Sequence, residues 1–413
     1  MRRKLSAVWV MVLIAGSASA SSRATIAFSF VCNGKTFGAC PNGGSPNSLI
    51  QGSDGNFYGT TANSGSNANG QFILGGTVFS LTSSGKFTLI HTFTGGTNHK
   101  FANGVGPISV TEGPDGKLYG LTTSGGNGFS GLFLGYGVLF RVNKNGTGFR
   151  VIHRFCSSGT YCTDGVYSAG TLVAAGDGNV YGVTSQGGSG SGCGSGGCGT
   201  VFRVTPSSGA YEVVASFTTA YSGFPNGMTL GADGTFYGFT INGTALFHFV
   251  PATGTLQSVA LPFPEPSGCP GLACTAMNVA SFGPDGNLYG FYAVYNAPGV
   301  AGIFEVQPDG SHLQLFSPYT TTANPGTELL LASDGNFWFP KITSGSGDIV
   351  SLSPSSGQVI QTLTPFNASV HDPVEIIQAK DGLLWGVAAG GIVTSGHYGG
   401  GTVFSLNAGL PPR

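Results

Sequence analysis

The sequence predicts an all-β protein, a seven-bladed β-propeller of four-stranded antiparallel blades. Three observations predict it: the composition, a sevenfold internal repeat, and a split last repeat. Of 413 residues 72 are Gly and only 8% are charged, against about 7% Gly and roughly 25% charged residues in ordinary soluble chains. Apolar residues make up 40%, with 30 Phe and 14 Tyr, so the chain can fill a large core and is not of disordered composition. Helix surfaces favour Glu, Lys, Arg, Gln and Ala, whereas Gly, Ser, Thr, Val and Phe dominate here, the residues of turns and strands.

The segment Asp-Gly-x-apolar-Tyr-Gly begins at Asp54, Asp115, Asp177, Asp233 and Asp285, with looser copies at Asp334 (DGNFWF) and Asp381 (DGLLWG). Intervals of 47 to 62 residues leave room for four short strands each. In the first copy these read as Ser48 to Gly52 (strand a), Asn56 to Thr61 (b), Thr77 to Thr82 (c) and Phe87 to Phe93 (d). Asp54-Gly55 and Ser83-Ser84-Gly85 form the hairpin turns, where Gly accepts positive φ. Strand c recurs seven times downstream of the Asp-Gly turns, but strand d only six. Residues Ala24 to Phe30 (ATIAFSF) resemble the missing one and precede the first strand a. The N-terminal strand is therefore expected to complete the last blade and remove an exposed edge. The alternative, an open β-solenoid, needs no split unit.

Residues 1–20 read as a secretory signal peptide: Arg2, Arg3 and Lys4 precede the apolar run Val8 to Ala15 and then Ala18-Ser19-Ala20. That run is too short to span a bilayer, so residues 21–413 are expected as one secreted domain, extracellular or periplasmic, without membrane insertion. Without the leader, 13 basic residues (16 less Arg2, Arg3 and Lys4) stand against 17 acids, a formal charge of −4, which excludes an electrostatic nucleic-acid binder. The eight Cys fall into close pairs, Cys32 with Cys40, Cys156 with Cys162, Cys193 with Cys198 and Cys269 with Cys274. An even count in an exported chain implies local disulfides. A zinc cluster is the competing reading, but the pairs lie far apart in sequence and two are spaced too widely for a knuckle.

Gly76 to Leu81 (GTVFSL), preceded by DGNFYGTT and followed by FTLIHTFTGG, resembles the GloVer tandem repeat of bacterial "choice-of-anchor" exported proteins. The similarity covers nearly the whole mature chain and is weakest in the sixth blade, where Phe339 replaces the Gly and Val350 the strand-c Phe. The resemblance implies a bacterial exported protein and no particular reaction. The Asp-Gly-Asn repeats are also similar to those of streptogramin-lyase-type propellers, whose chemistry uses His and Glu with a metal.

Strand alternation puts the d-to-a and b-to-c connections on one face, which would carry every Cys pair and long Gly-rich loops. Phe101, Phe129, Phe133, Tyr136, Tyr161, Tyr167, Tyr221, Phe224 and Tyr398 fall there, and uncharged aromatic loops suit sugars or peptides. A second candidate comes from register. Six residues before each turn Asp stand Ser48, Ser109, Thr171, Gly227, Val279, Glu328 and Glu375, at the expected start of the innermost strand. Glu328 and Glu375 would then stand at equivalent positions of neighbouring blades near the central channel, with His371 just before the second, and could share a proton or bind a divalent cation. The repeat Asp are read as turn formers and the repeat aromatics as inter-blade packing. His91 and His153 fall in outer strands, poor places for chemistry. Three functional classes remain. The first is a monomeric binding or adhesion module for polysaccharide or a cell-surface protein, needing no cofactor. The others are a metal-dependent lyase or hydrolase at the channel and a structural envelope protein.

Overall fold

The computed structural model describes residues 23–32, 40–63, 75–94, 101–127, 135–157, 161–190, 192–219, 223–240, 245–261, 274–276, 281–294, 300–316, 319–320, 329–343, 346–366, 371–390 and 398–413. Each repeat folds around its Asp-Gly turn. In the first, Gly55 donates its N–H to the carbonyl of Gly52 (3.0 Å) and Gly52 to that of Asn56 (2.8 Å). This closes a hairpin between Gly44–Gln51 and Phe57–Asn63. Thr77–Leu81 and Phe87–Thr92 add in sequence order to complete a four-stranded antiparallel sheet. Seven such sheets follow one another, and the fold is a seven-bladed β-propeller with almost no helix. In the seventh, Thr25–Cys32 pairs antiparallel with Tyr398–Leu406, outside Leu384–Ala388 and Pro373–Gln378. The fifth sheet is the least regular, its first and last strands each broken in two. No helix among the described residues is long and apolar enough to cross a membrane.

The core is divided into seams between neighbouring blades, and the repeat residues explain each one. Tyr58, Tyr119, Tyr181, Tyr237, Tyr289, Trp338 and Trp385 are buried, each within a cluster shared with the next blade. Full burial of one aromatic contributes about 2–3 kcal/mol. The Tyr hydroxyl is not left stranded, because it donates to the carboxylate of the turn Asp four residues earlier. Tyr58 reaches Asp54 at 2.7 Å, Tyr119 Asp115 at 3.0 Å, Tyr181 Asp177 at 2.6 Å, Tyr237 Asp233 at 2.9 Å and Tyr289 Asp285 at 2.9 Å. Trp338 Nε1 does the same to Asp334 at 3.2 Å. The turn Asp therefore forms the turn and also satisfies a buried hydroxyl. Burial first, and the Asp177 carboxylate second, pushes the Tyr181 hydroxyl up to about 12. For Asp177 itself burial acts upward, but bonds from Tyr181 and Asn179 outweigh it and hold the carboxyl below its usual range.

Across the second and third strands the repeat Gly faces the strand-c Phe: Gly59 opposite Phe79, Gly120 opposite Phe140, Gly182 opposite Phe202, Gly238 opposite Phe247, Gly290 opposite Phe304 and Gly386 opposite Phe404. A Cβ at any of these Gly would come within 3 Å of the facing ring. Phe339 stands opposite Val350 in the sixth blade, so the ring has changed strand and the volume is kept. A second Phe ties the blades together. Phe30, Phe93, Phe155, Phe217 and Phe366, at or just beyond the ends of outer strands, meet the strand-c Phe of the next blade at centroid distances of 4.9 to 5.8 Å. Further out, rings of neighbouring outer strands stack: Phe28 on Phe87 (4.0 Å), His91 on Phe149 (3.6 Å) and His153 on Tyr211 (3.7 Å). The two His that looked idle in sequence are members of this outer seam.

Candidate functional site: the loop-rich face and channel mouth

All three disulfides among the described residues, Cys32–Cys40, Cys156–Cys162 and Cys193–Cys198, lie on the face of the b-to-c and d-to-a connections. Cys269 lies outside the described residues. The opposite face carries the tight turns.

The innermost strands begin on the loop-rich face with a repeated backbone device. Ser45 (φ 53°), Gly106 (62°), Tyr167 (55°), Phe224 (62°) and Asp372 (59°) are left-handed, and all but Tyr167 precede a Pro. Pro46, Pro107, Pro225 and Pro373 rest on Gly401, Gly76, Gly199 and Gly347 of the preceding blades, so closely that a Cβ on those Gly would collide. The left-handed residue turns the chain into this seat. For a non-Gly residue the conformation costs on the order of 1 kcal/mol, and the structure accepts that cost at Ser45, Tyr167, Phe224 and Asp372, at matching points around the channel mouth.

This device corrects the sequence register. The first innermost strand starts at Gly44 and not at Ser48, because the left-handed residue, the Pro and the bulge between Pro46 and Ser48 extend it backwards. Ser48 and Ser109 are consequently mid-strand and 2% exposed, not at the mouth. Glu375 is the third residue of Pro373–Gln378, opposite Val387, and the start of that strand belongs to Asp372. The expected pairing of Glu375 with Glu328 rests on a residue outside those described, as do Tyr221, Phe129 and Phe133.

His371 Nδ1 lies 2.7 Å from Asp372 Oδ2. The backbone beneath is fixed by N–H donation from Gly390 to the His371 carbonyl and from Ala389 to that of Asp372. Tyr167 meets Tyr136 edge to face at 5.8 Å; burial, and then Tyr136, raises its hydroxyl above the ordinary value. Phe224 is half-buried, and its N–H donates to the Cys198 carbonyl at 2.8 Å, tying it to the Cys193–Cys198 staple. Phe101 is buried. Tyr398 begins the last strand, opposite Cys32. Tyr161 is 72% exposed. The aromatics thus divide into a paired set at the channel mouth and one ring standing in solvent.

One group at this face escaped the sequence reading. Asp164 Oδ2 accepts from Ser157 N (2.7 Å) and Ser157 Oγ (2.6 Å) and lies 2.9 Å from His153 Nε2, while its carbonyl accepts from the Tyr211 hydroxyl at 2.6 Å. A signal for it existed: Asp164-Gly165 occupies the place of Asn42-Gly43 and Asn103-Gly104 in the earlier repeats, an amide replaced by a carboxylate. Bound in this way the carboxylate anchors the end of the loop to the outer strand. Among the described residues no three His, Cys, Asp or Glu come together as a metal site would require. On the outer wall, between blades 3 and 4, a cleft of about 390 Å³ is lined by uncharged residues including Phe217, Thr219, Leu256 and Ser258.

Comparison with solved structures places this fold among bacterial propellers. A catalytically inactive virginiamycin B lyase from Staphylococcus aureus, crystallised with quinupristin, superposes with a TM-score of 0.57 at 14% identity, over 91% of this chain and 97% of that one. The periplasmic gluconolactonase of Pseudomonas aeruginosa gives 0.50 at 16% identity, over 77% and 85%. The extracellular domain of the putative one-component system BT4673 of B. thetaiotaomicron gives 0.54 at 13% identity, over 90% of this chain and 40% of that one. At such identities the likeness is one of fold alone. No curated protein matches the sequence. The Gloeobacter/Verrucomicrobia repeat matches residues 45–268, more than half of the chain and blades one to four; the protein belongs to that repeat family.

Proposed function

We propose that the protein is an exported binding module that engages a polysaccharide or a cell-surface protein through its loop-rich face, without catalysis and without a cofactor. The observation that carries this reading is the matched set of left-handed residues at the channel mouth, which fixes Tyr167, Phe224 and Asp372 in place at a conformational cost. Three disulfides on the same face add to that rigidity and agree with an oxidising compartment. A preformed surface loses less entropy on binding than a mobile one. The test is binding of residues 21–413 to a glycan array and to bacterial surface proteins, with calcium and with EDTA. Saturable binding that survives EDTA is expected. Loss of binding in EDTA would point instead to a cation at the channel, and absence of any ligand on both panels would defeat the module reading.

A further inference from the structure

Outer strands of neighbouring blades meet by a repeated device, and one seam breaks it. In blades seven, one and two the outer strand carries a one-residue bulge, and the residue just past it faces the one before the strand-c Phe: Phe28 opposite Val403, His91 opposite Val78 and His153 opposite Leu139. Each of these rings stacks on a ring at the start of the next blade's outer strand, Phe87, Phe149 and Tyr211, at 4.0, 3.6 and 3.7 Å. Blade three has the same bulge, but its residue past it, opposite Val201, is Ala215. Blade four answers with Leu256, which stands opposite Phe249 as Tyr211 stands opposite Val204. Ala215 and Leu256 both pack against the core cluster shared by these two blades, so they hold the places of the ring pair without supplying a ring.

A second observation marks the same seam. The turn between third and fourth strands closes other seams: a Cβ on Gly146, Gly209, Gly310 or Gly357 would lie within 4 Å of Ile90, Ile152, Val259 or Phe316 in the preceding outer strand or at its end. Gly254 is the same residue of blade four and has the same backbone, φ 69° against 71° at Gly209. A Cβ there would meet none of the described residues within 4 Å, and these include the whole of blade three's outer strand, Ala210–Ser216. Blade four thus stands off from blade three, and the space between them is the cleft of about 390 Å³, within the size range of small-molecule sites. Its apolar lining includes Leu256, Ala260 and the buried Phe217, which is fixed edge to face on Phe247 at 5.0 Å. Its polar lining includes the hydroxyls of Ser216, Thr218 and Ser258, and no charged side chain lines it among the described residues. The blade-three wall is held from behind, with Ser189 N donating to Ser216 Oγ and Gly192 N to the Thr218 carbonyl, both at 3.2 Å. An unfilled seam forfeits the dispersion contacts of its lining, and a flat ring entering it would restore the stack found at the three preceding seams. An ionic group would lose its water there without gaining a counter-charge.

We propose that the seam between blades three and four is a binding slot for a small, flat, uncharged aromatic molecule with a hydroxyl or ring N–H, of the phenol or indole class, which takes the place of the missing ring pair. The slot goes beyond the binding-module reading and does not depend on it. It is tested by isothermal titration of residues 21–413 with indole and 2-naphthol, and with two controls: 2-naphthoate, flat but charged, and cyclohexanol, uncharged but not flat. Expected is one saturable site for indole or 2-naphthol, with both controls weaker by about tenfold or more. Ala215→His combined with Leu256→Phe rebuilds the pair seen at His91 and Phe149, and should abolish the binding. Near-ultraviolet circular dichroism checks the fold of this variant. Should the added volume unfold it, Ser258→Phe, on an exposed residue of the lining, closes the slot from the solvent side and should abolish the binding in its place. No saturable binding of indole or 2-naphthol by wild type overturns the slot. Binding that survives in the folded, filled variant overturns its location. Equal binding of 2-naphthoate overturns the uncharged class, and equal binding of cyclohexanol overturns the aromatic one.

Discussion

Six blades set a Gly opposite a Phe across their second and third strands, and blade six sets Phe339 opposite Val350. By sequence this blade looks like the most degenerate copy. In space it is as well filled as the others, because facing residues of an antiparallel pair lie on one side of the sheet and the ring has only crossed from one strand to the other. Phe339 and Val350 are 5% and 2% exposed, and Phe339 meets Phe291 edge to face at 5.1 Å. What the repeat preserves is therefore volume per pair, not residue per position. The sharpest way to break this comparison is to separate the pair. Phe339→Gly should cost about 4 kcal/mol, from the lost ring and the cavity, and Val350→Phe about 1–3 kcal/mol from overpacking. The double variant would place a Phe opposite a Gly as at Gly182 and Phe202, and should be more stable than Phe339→Gly alone. Urea unfolding of the four proteins measures the coupling, and additive losses would show that the two positions do not share one space.

The other six blades predict a smaller effect from a smaller change. Gly182→Ala adds one methyl where the Phe202 ring already lies within 3 Å, and should cost about 1–3 kcal/mol. A third contrast concerns the turn Asp. In six copies it accepts from the aromatic four residues on, but Trp385 Nε1 in the seventh is buried without a partner, while Asp381 still accepts from Leu383 N at 3.0 Å. Asp177→Ala removes the turn bond, the exposed bond from the Asn179 side-chain amide, which adds little, and the Tyr181 bond; Asp381→Ala removes only the first. The difference in their unfolding free energies should be about 1 kcal/mol, the worth of one buried hydroxyl bond to a carboxylate after its cost in desolvation. Equal losses would reduce the Asp to its turn role everywhere.

Most of the blade pattern was legible in the sequence because it is local. The second strand follows the Asp-Gly turn at a fixed offset and the third carries its own apolar-Phe pattern, so Val138–Val142 could be read to the residue. The start of the innermost strand was not legible. Its position depends on Pro46 seating against Gly401, more than 350 residues away in the chain and in the neighbouring blade. Tyr167 and Phe224 were readable as loop aromatics, but not as left-handed residues at matching points. His153 was set aside for lying in an outer strand, although the stack on Tyr211 and the contact with Asp164 give it neighbours from the next blade that no local pattern contains. Residues whose role is set within a hairpin could be read; those set across a seam could not.

The smallest effect belongs to the outer seam, where the two His differ. His153 lies against a carboxylate, whereas His91 is stacked on Phe149 and burial pulls its pKa down to about 4 from the ordinary 6.5. Between those values the unfolded chain binds a proton that the folded one refuses. The contribution of His91 is thus fully present above pH 6.5 and is lost as pH falls toward 4. Because the ring is partly open to solvent, the loss is on the order of 1 kcal/mol and not the full value of the shift. His91→Phe keeps the stack and removes the titration. Its unfolding free energy should fall less steeply than that of wild type between pH 6.5 and pH 4, with the two curves parallel above pH 7. Parallel curves throughout would mean that His91 takes up its proton without leaving the stack, and that the outer seam is looser than its 3.6 Å ring spacing implies.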